Sequence, residues 1–311
     1  MSVMGEEYHI PVLADECLSA LKVKRGGIYF DGTLGGGNDS ELILRAGGRL
    51  IAVDRDNEAL DFVGARFASN PDFAGRYELV HDNFKNVAEI LGGRSINDID
   101  GALLDLGISS RQVDEPQRGF SYSKDGELDM RMDREQVLSA MQVVNEYSTE
   151  QLARIFFTYG EEKFARKIAA NIVERRKKTP IETTMQLSDI IVASVPSRKS
   201  GHPAKKVFQA LRIEVNNELS GLGEAVCDIV DKLKKGARLC VITFHSLEDR
   251  IVKQTFASLA TDCICDKSLP VCVCGHRASV KLIGKAIRPS EKEQERNPRS
   301  KSATLRVAEK I

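Results

Sequence analysis

The chain has 311 residues of which 42% are hydrophobic, enough for about two domains of roughly 150 residues with substantial cores, which excludes disordered and collagen-like chains. No run of about 18 apolar residues occurs, and Met1 to Ile10 carries Glu6 and Glu7 where a secretory leader needs basic and then apolar residues, so a soluble, cytoplasmic protein without a membrane partner is expected. The formal charge is zero, yet residues 1–150 hold 15 basic and 27 acidic side chains and residues 151–311 hold 30 and 18, so the halves carry −12 and +12. A basic surface hidden in a neutral total points to a polyanionic partner such as nucleic acid.

The first hundred residues alternate short apolar runs with helical periods, the pattern of a mostly parallel sheet covered by helices, an α/β fold. Strands are predicted over 27–31, 49–54, 77–81 and 100–105, three of them ending in a carboxylate. Between them, 58–68 places Leu60, Phe62, Val63 and Phe67 near one helical face, and Gly92-Gly93 closes the helix that follows Phe84. Residues 111–134 are polar and loop-like, and 135–195 read as amphipathic helices without a strand. Ser148 with Gln151 forms a capping box for a helix reaching Tyr159, and the next helix spaces Phe164, Ile168 and Ile172 by four, with Lys163, Arg166, Lys167 and Arg175 opposite. Pro196, Ser197, Ser200, Gly201 and Pro203 mark a loop before helix resumes at Ala204. Strand character returns at 238–244, and Ser246 is placed to cap a helix over about 247–260. The sheet domain is therefore expected at 1–112 and 208–311, interrupted by a helical insertion at 113–207.

Of seven cysteines, Cys17, Cys227 and Cys240 sit in apolar stretches, where a thiol packs as a small hydrophobe. The rest form Cys263-Ile-Cys265 and Cys272-Val-Cys274, followed by His276. That set suffices for tetrahedral zinc, but C-x-C is less diagnostic than C-x-x-C, so a surface hairpin of reduced thiols is favoured and no metal ligand is assigned.

Asp31-Gly-Thr-Leu-Gly35-Gly36-Gly37 follows a strand and opens a helix, so a ligand can approach its backbone closely. It is neither the dinucleotide fingerprint, since Ser40 stands three after Gly37, nor a P-loop, since no Lys follows Gly37. A carboxylate ahead of the glycines repels pyrophosphate and suits a cationic ligand such as the ammonium and sulfonium of S-adenosylmethionine. Asp54, ending the second strand, is placed to accept hydrogen bonds from ribose hydroxyls, and Asp105 ends the fourth, where open α/β sheets bind ligands. Taken singly, these features also read as a tight turn and two helix caps.

His9-Ile-Pro-Val-Leu13, Asp31-Gly-Thr33, Ala52-Val-Asp-Arg-Asp56, Leu104-Asp-Leu-Gly-Ile-Ser-Ser110, Arg118-Gly-Phe-Ser121, Asp125-Gly-Glu-Leu-Asp-Met-Arg-Met-Asp133, Tyr159-Gly-Glu-Glu-Lys-Phe-Ala165, Phe208-Gln-Ala-Leu-Arg-Ile213, Phe244-His-Ser-Leu-Glu-Asp-Arg250 and Asn297-Pro-Arg-Ser300 occur in this order. Across nearly the whole chain the sequence resembles the bacterial small-subunit ribosomal RNA cytosine-N4 methyltransferases. The resemblance implies a Rossmann-like methyltransferase domain with a helical insertion. Its cofactor would be S-adenosylmethionine and its substrate one cytosine of the decoding region, in ribosomal RNA or the assembled small subunit. It implies cofactor contacts from Gly37, Asn38, Asp39, Asp54, Phe84, Asp105 and Gln112. The family usually reads Gly-Gly-His where this chain has Gly37-Asn38-Asp39.

Asn38 tolerates a positive φ and can cap the following helix with Glu41 reaching back, and Asp39 is expected to face the ligand pocket rather than the helix end. Asp105 is the expected residue for orienting the cytosine amine. Phe120, Tyr122 and Phe244 are candidates to stack on the base, each also readable as core. His245 could orient a base or phosphate or be structural. Arg131 could bind RNA, but a salt bridge tying the insertion to the sheet is favoured. Arg175-Arg-Lys-Lys178, Arg198-Lys199 and Lys205-Lys206 favour RNA contact over a solvated face. A non-catalytic ribosome-assembly factor with a relic pocket is the alternative. An NAD oxidoreductase lacks its fingerprint, and a DNA amino-methyltransferase lacks its prolines.

Overall fold

The computed structural model describes residues 11–196, 201–263, 265–266 and 271–311. His9, Ser197, Arg198, Lys199 and Ser200 lie outside them. Two compact units divide the chain, Met1–Gly107 with Ser220–Ile311, and Ile108–Leu219. The insertion was expected at 113–207. The helical unit extends further because Phe208, Leu211 and Val215 are buried in its core.

The first unit opens with α1 (Ala14–Leu21), β1 (Ile28–Asp31), α2 (Asn38–Arg45), β2 (Arg49–Asp54), α3 (Asn57–Ala68), β3 (Tyr77–His81), α4 (Val87–Gly92) and β4 (Ile99–Asp105). The second holds α5 (Ser110–Asp114), α6 (Ala140–Glu146), α7 (Thr149–Thr158), α8 (Ala165–Arg176), α9 (Thr184–Ser194) and α10 (Ala204–Asn216). The chain then returns to the first unit with α11 (Leu222–Asp231), β5 (Leu233–Thr243), α12 (Ser246–Leu259), β6 (Val280–Leu282), α13 (Glu291–Arg296) and β7 (Thr304–Lys310).

The seven strands lie in the order β3-β2-β1-β4-β5-β7-β6. β1 to β5 run parallel, and β7 is antiparallel to both β5 and β6. This is an α/β, Rossmann-like sheet. Central strands must bury both faces, which explains their nearly unbroken apolar runs. On one face Phe30, Ile51, Val53, Leu104 and Val241 meet Ile90 of α4, Val226 of α11 and Phe256 of α12. On the other, Tyr29, Leu50, Ala52, Leu103 and Ile242 meet Cys17 of α1, Ile43 of α2 and Phe67 of α3. Alternate residues of each strand thus serve opposite cores. The parallel chain leaves β1 toward β2 and later enters β4 on the other side of β1. That reversal falls at the carboxyl ends of β1 and β4, the place where such sheets bind ligands.

Several expectations are corrected. The strand expected at 238–244 spans Leu233–Thr243, and β6 and β7 were not expected at all. α12 is capped by the His245 ring, which accepts from Glu248 N–H, and not by Ser246. Phe164 precedes α8 and is 36% exposed, so it does not share the core with Ile168 and Ile172. The capping box of Ser148 with Gln151 is present as expected. Arg131 pairs with Asp129 at 2.6 Å and donates to the Arg134 and Gln136 carbonyls, so its salt bridge braces a loop of the second unit and does not reach the sheet.

Within the basic run, Arg176 donates to the carbonyls of Val144 at 2.6 Å and Tyr147 at 2.7 Å, stapling the end of α8 to the end of α6. Charge-assisted bonds of this kind are worth roughly 1.5–3 kcal/mol. Arg176→Ala should therefore lower unfolding stability by about that amount, while Lys177→Ala, at an exposed site, should stay within roughly 0.5 kcal/mol of wild type in urea denaturation. Equal midpoints for the two variants would show that Arg176 braces nothing.

Candidate active site

Three strand ends build the site. Asp31 closes β1, Asp54 closes β2 and Asp105 closes β4. Asp31 is buried, its Oδ2 accepting the Ser40 hydroxyl at 2.6 Å and its Oδ1 the Thr33 N–H at 3.0 Å. The Thr33 hydroxyl oxygen in turn accepts the Asp105 N–H at 2.6 Å, which clamps the turn after β1 to the end of β4. Neither Thr33 nor Ser40 was expected to hold the site together. Their signal in the sequence was the short polar side chain on either side of the glycines.

Asp39 sits in the first turn of α2, as a half-buried residue whose Oδ1 is sealed from solvent without a hydrogen-bond partner. Asp105 Oδ1 is in the same condition. Burial first, and then the Asp31 charge, push the Asp39 carboxyl up to about 7. Burial, followed by the charges of Asp39, Asp31 and Glu248, raises Asp105 well above the carboxylate range. Burial raises Asp31 as well, against its hydrogen bonds from Ser40 and Thr33. Cys17 of α1 also feels Asp39 and Asp105, and burial keeps its thiol protonated. Asp39 therefore lies close enough to Asp31 and Asp105 for their charges to act on one another. Two orphan carboxylate oxygens among mutually repelling charges form a receptor for a cation carrying N–H donors.

Around this group the predicted residues take distinct places. Asp54 accepts the Gly35 N–H at 2.7 Å on Oδ2 and the Asp56 N–H at 2.9 Å on Oδ1, and burial raises it to about 6. Each of its oxygens retains a second lone pair. Gly37, at φ 73°, is the N-cap of α2, and a Cβ there would meet the Val63 methyls at 2.7 and 2.8 Å. Gly37 thus carries the left-handed turn and the close packing, and Asn38 does not need a positive φ. Gly36 faces open space, with only Asn38 Nδ2 at 3.8 Å from an added Cβ. Asn38 Oδ1 accepts from Arg66 at 3.0 Å and Glu41 pairs with Arg45 and Arg66, so the expected Asn38–Glu41 capping box does not form. Phe84 begins a single 3-10 turn after β3, where an added Cβ on Gly32 would meet its Cβ at 2.7 Å.

Six of the seven predicted cofactor residues therefore line the carboxyl edge of the sheet in one unit. Gln112 belongs to the second unit, where it is buried and its Oε1 accepts the Ser109 N–H at 3.1 Å in the capping box of α5. Among the aromatic candidates, Phe120 is core of the second unit, and Tyr122 stacks on His202 at 4.8 Å. Phe244 borders the loop after β4, 3.4 Å from where a Gly107 Cβ would lie. His245 caps α12 through its ring, and its Nε2 lies 3.0 Å from Glu248 Oε1. Glu248, part of the Phe244 to Arg250 motif but given no role there, is 2% exposed and accepts the Phe244 N–H at 3.0 Å.

Residues 6–311 match the model of the MraW methylase family. The chain belongs to that family. Relatives named ribosomal RNA small subunit methyltransferase H include one from Brevibacillus brevis, 49% identical over 98% of this chain and 98% of that protein. Another, from Clostridium botulinum, is 50% identical over 97% of this chain and 99% of its own length. In this methylase Asp39 adds a third acid beside Asp31 and Asp105.

Because Asp39 binds its proton more tightly folded than unfolded, its contribution to stability is full below about pH 4 and is lost as pH rises through about 7. Asp39→Asn removes that loss. The ligand-free variant should melt roughly 2–4 °C above wild type at pH 8, equivalent to about 1 kcal/mol, and close to wild type at pH 5. A melting difference independent of pH would show that Asp39 does not feel its neighbours.

Proposed function

We propose that this methylase transfers a methyl group from S-adenosylmethionine to the exocyclic N4 amine of a cytosine in the decoding region of small-subunit ribosomal RNA, in the cytoplasm. The observation that carries this reading is the pair of sealed, partnerless carboxylate oxygens of Asp39 and Asp105 beside the glycine turn at the sheet's reversal point. S-adenosylmethionine supplies an electrophilic methyl on a sulfonium, together with the ammonium that a carboxylate group can hold.

This chain's residues divide the work. Asp39, backed by Asp31, meets the ammonium, and ionised Asp54 accepts ribose hydroxyls on its spare lone pairs. Gly36 leaves the backbone open to close approach, and Phe84 offers an apolar face. Asp105 accepts an N–H of the cytosine amine and aims its lone pair at the methyl. The amine is a weak nucleophile because its lone pair is delocalised into the ring, so alignment carries most of the rate. Holding the reacting atoms about 3–3.5 Å apart in line supplies roughly 7–11 kcal/mol of the barrier. The resemblance implies a further cofactor contact from Gln112.

Incubation with isotopically labelled S-adenosylmethionine and small subunits from a strain lacking the modification should yield labelled N4-methylcytidine in nucleoside mass spectrometry. Label on another nucleoside would overturn the cytosine assignment, and no label at all would overturn the activity in favour of an assembly factor.

The helical unit supplies the phosphate contacts in this reading. Arg175, Lys177 and Lys178 are exposed along the end of α8, and Lys205 is exposed on α10. Arg176 is committed to carbonyls, and Lys206 donates to the Glu161 carbonyl at 2.8 Å. Replacing Arg175, Lys177 and Lys178 by Ala, with Arg176 kept, should lower the slope of log affinity against log salt by roughly 0.7–0.9 for each phosphate that is no longer neutralised. An unchanged slope would make this end of α8 a solvated face only.

A further inference from the structure

Outside the carboxylate site, the segment joining α12 to β6 gathers Cys263, Cys265, Cys272 and Cys274, none of them in a disulfide. Their sulfur atoms all lie within 4.8 Å of one another, with separations of 3.5 Å for Cys263 to Cys272, 3.6 Å for Cys272 to Cys274, 3.9 Å for Cys274 to Cys263 and 4.0 Å for Cys265 to Cys272. A tetrahedron of thiolates around one zinc ion, at a Zn–S distance of roughly 2.3 Å, has edges of about 3.8 Å. The four separations bracket that edge. They are far too long for an S–S bond of about 2.05 Å, and too short for a polynuclear iron–sulfur cluster, which spreads its thiolates over several metal atoms.

Two further observations belong with a bound ion. The Val273 N–H points at Cys265 Sγ at 3.4 Å, a backbone donor of the kind that stabilises the negative charge of a ligating thiolate. The base of the segment is closed by Ser279 N–H to the Leu259 carbonyl at 2.8 Å and Ala278 N–H to Asp262 Oδ1 at 3.2 Å. Between those ties the segment exceeds the roughly 12–15 residues beyond which unstructured loops become uncommon. Among its described residues, Val271 and Val273 are 70% and 77% exposed and form no core. A covalent or metal staple is the usual substitute for burial in so small a unit.

We propose that Cys263, Cys265, Cys272 and Cys274 bind a single zinc ion in a closed, structural tetrathiolate site. His276, considered with them from sequence, lies outside the cluster. Binding exchanges thiol protons for the metal, so each thiol that ligates gives up its proton to solvent and no oxidant is required. With all four positions filled by protein, the ion has no open site for a substrate and holds the segment in one conformation.

The test uses the whole protein, purified without chelator. About one zinc ion per chain is expected by mass spectrometry of the metal content, with four thiols that react with a disulfide reagent only after chelation. Cobalt added to the stripped protein should give the thiolate charge-transfer and tetrahedral ligand-field bands of a four-sulfur site, and the variant with Cys263 and Cys272 both changed to Ser should lose them. Stripped wild-type protein that takes up neither zinc nor cobalt would overturn the proposal, as would zinc retained by that variant, or disulfides among the four cysteines of freshly reduced protein.

Discussion

A carboxylate removed from water without a cation is among the most costly groups a fold can hold, and the first unit sets three of them against one another. The burden is carried by the sheet. Asp31 and Asp105 are fixed by neighbouring strands, and the Thr33 link to the Asp105 N–H fixes the turn between them. Ser40 then anchors the start of α2 to Asp31, which brings Asp39 in from the helix side. Asp31 and Asp105 cannot move apart without disturbing the backbone pairing between β1 and β4. Burial raises the proton affinity of all three, and neighbouring charges add to it at Asp39 and Asp105.

Much of this architecture is legible in the sequence, for a physical reason. A parallel central strand buries both faces, so 49–54 and 100–105 stand out as apolar runs ending in acids, and β2 and β4 lie there to within a residue. β7 escapes the same logic. It sits between β5 and the three-residue β6, near the sheet's edge, and alternates buried Leu305 and Val307 with Arg306, whose partner Asp249 is supplied by α12. Only pairing with a distant strand makes that segment a strand. The caps show the same division. Ser148 with Gln151 is a local motif and forms, whereas His245 displaces Ser246 as the cap of α12 because its ring also meets the buried Glu248.

Residue types forecast chemistry better than they forecast partners. The basic run of α8 reads as four equivalent charges, yet Arg176 is spent on two carbonyls of the α6 end and three side chains remain at the surface. The cysteine pairs present the complementary case. Spacing alone favours a hairpin of reduced thiols over a metal site, because a C-x-C pair fixes neither the distance nor the direction of the sulfurs. The fold supplies both by pinching the segment at Leu259 and Ser279.

The stretch from Gly36 to Ser40 shows why contiguous residues need not share a task. At the start of a helix successive side chains point about 100° apart, so neighbours address different surroundings. Gly37 turns to Val63, Asn38 to Arg66 and Ser40 to Asp31, while Gly36 faces open space and Asp39 faces the acids. Departures from the family's Gly-Gly-His therefore differ in kind. Asn38 gains a bond to Arg66 that glycine could not make, and since Arg66 also binds the Gly37 carbonyl at 2.7 Å, the substitution reinforces the turn. Asp39 adds a charge where charge is already in excess, and that excess is relieved only by a proton or by a cationic ligand. The turn is thus fixed by the positions on either side of Asp39, which leaves Asp39 as the position where sequence change alters the charge of the acid group without having to rebuild the turn.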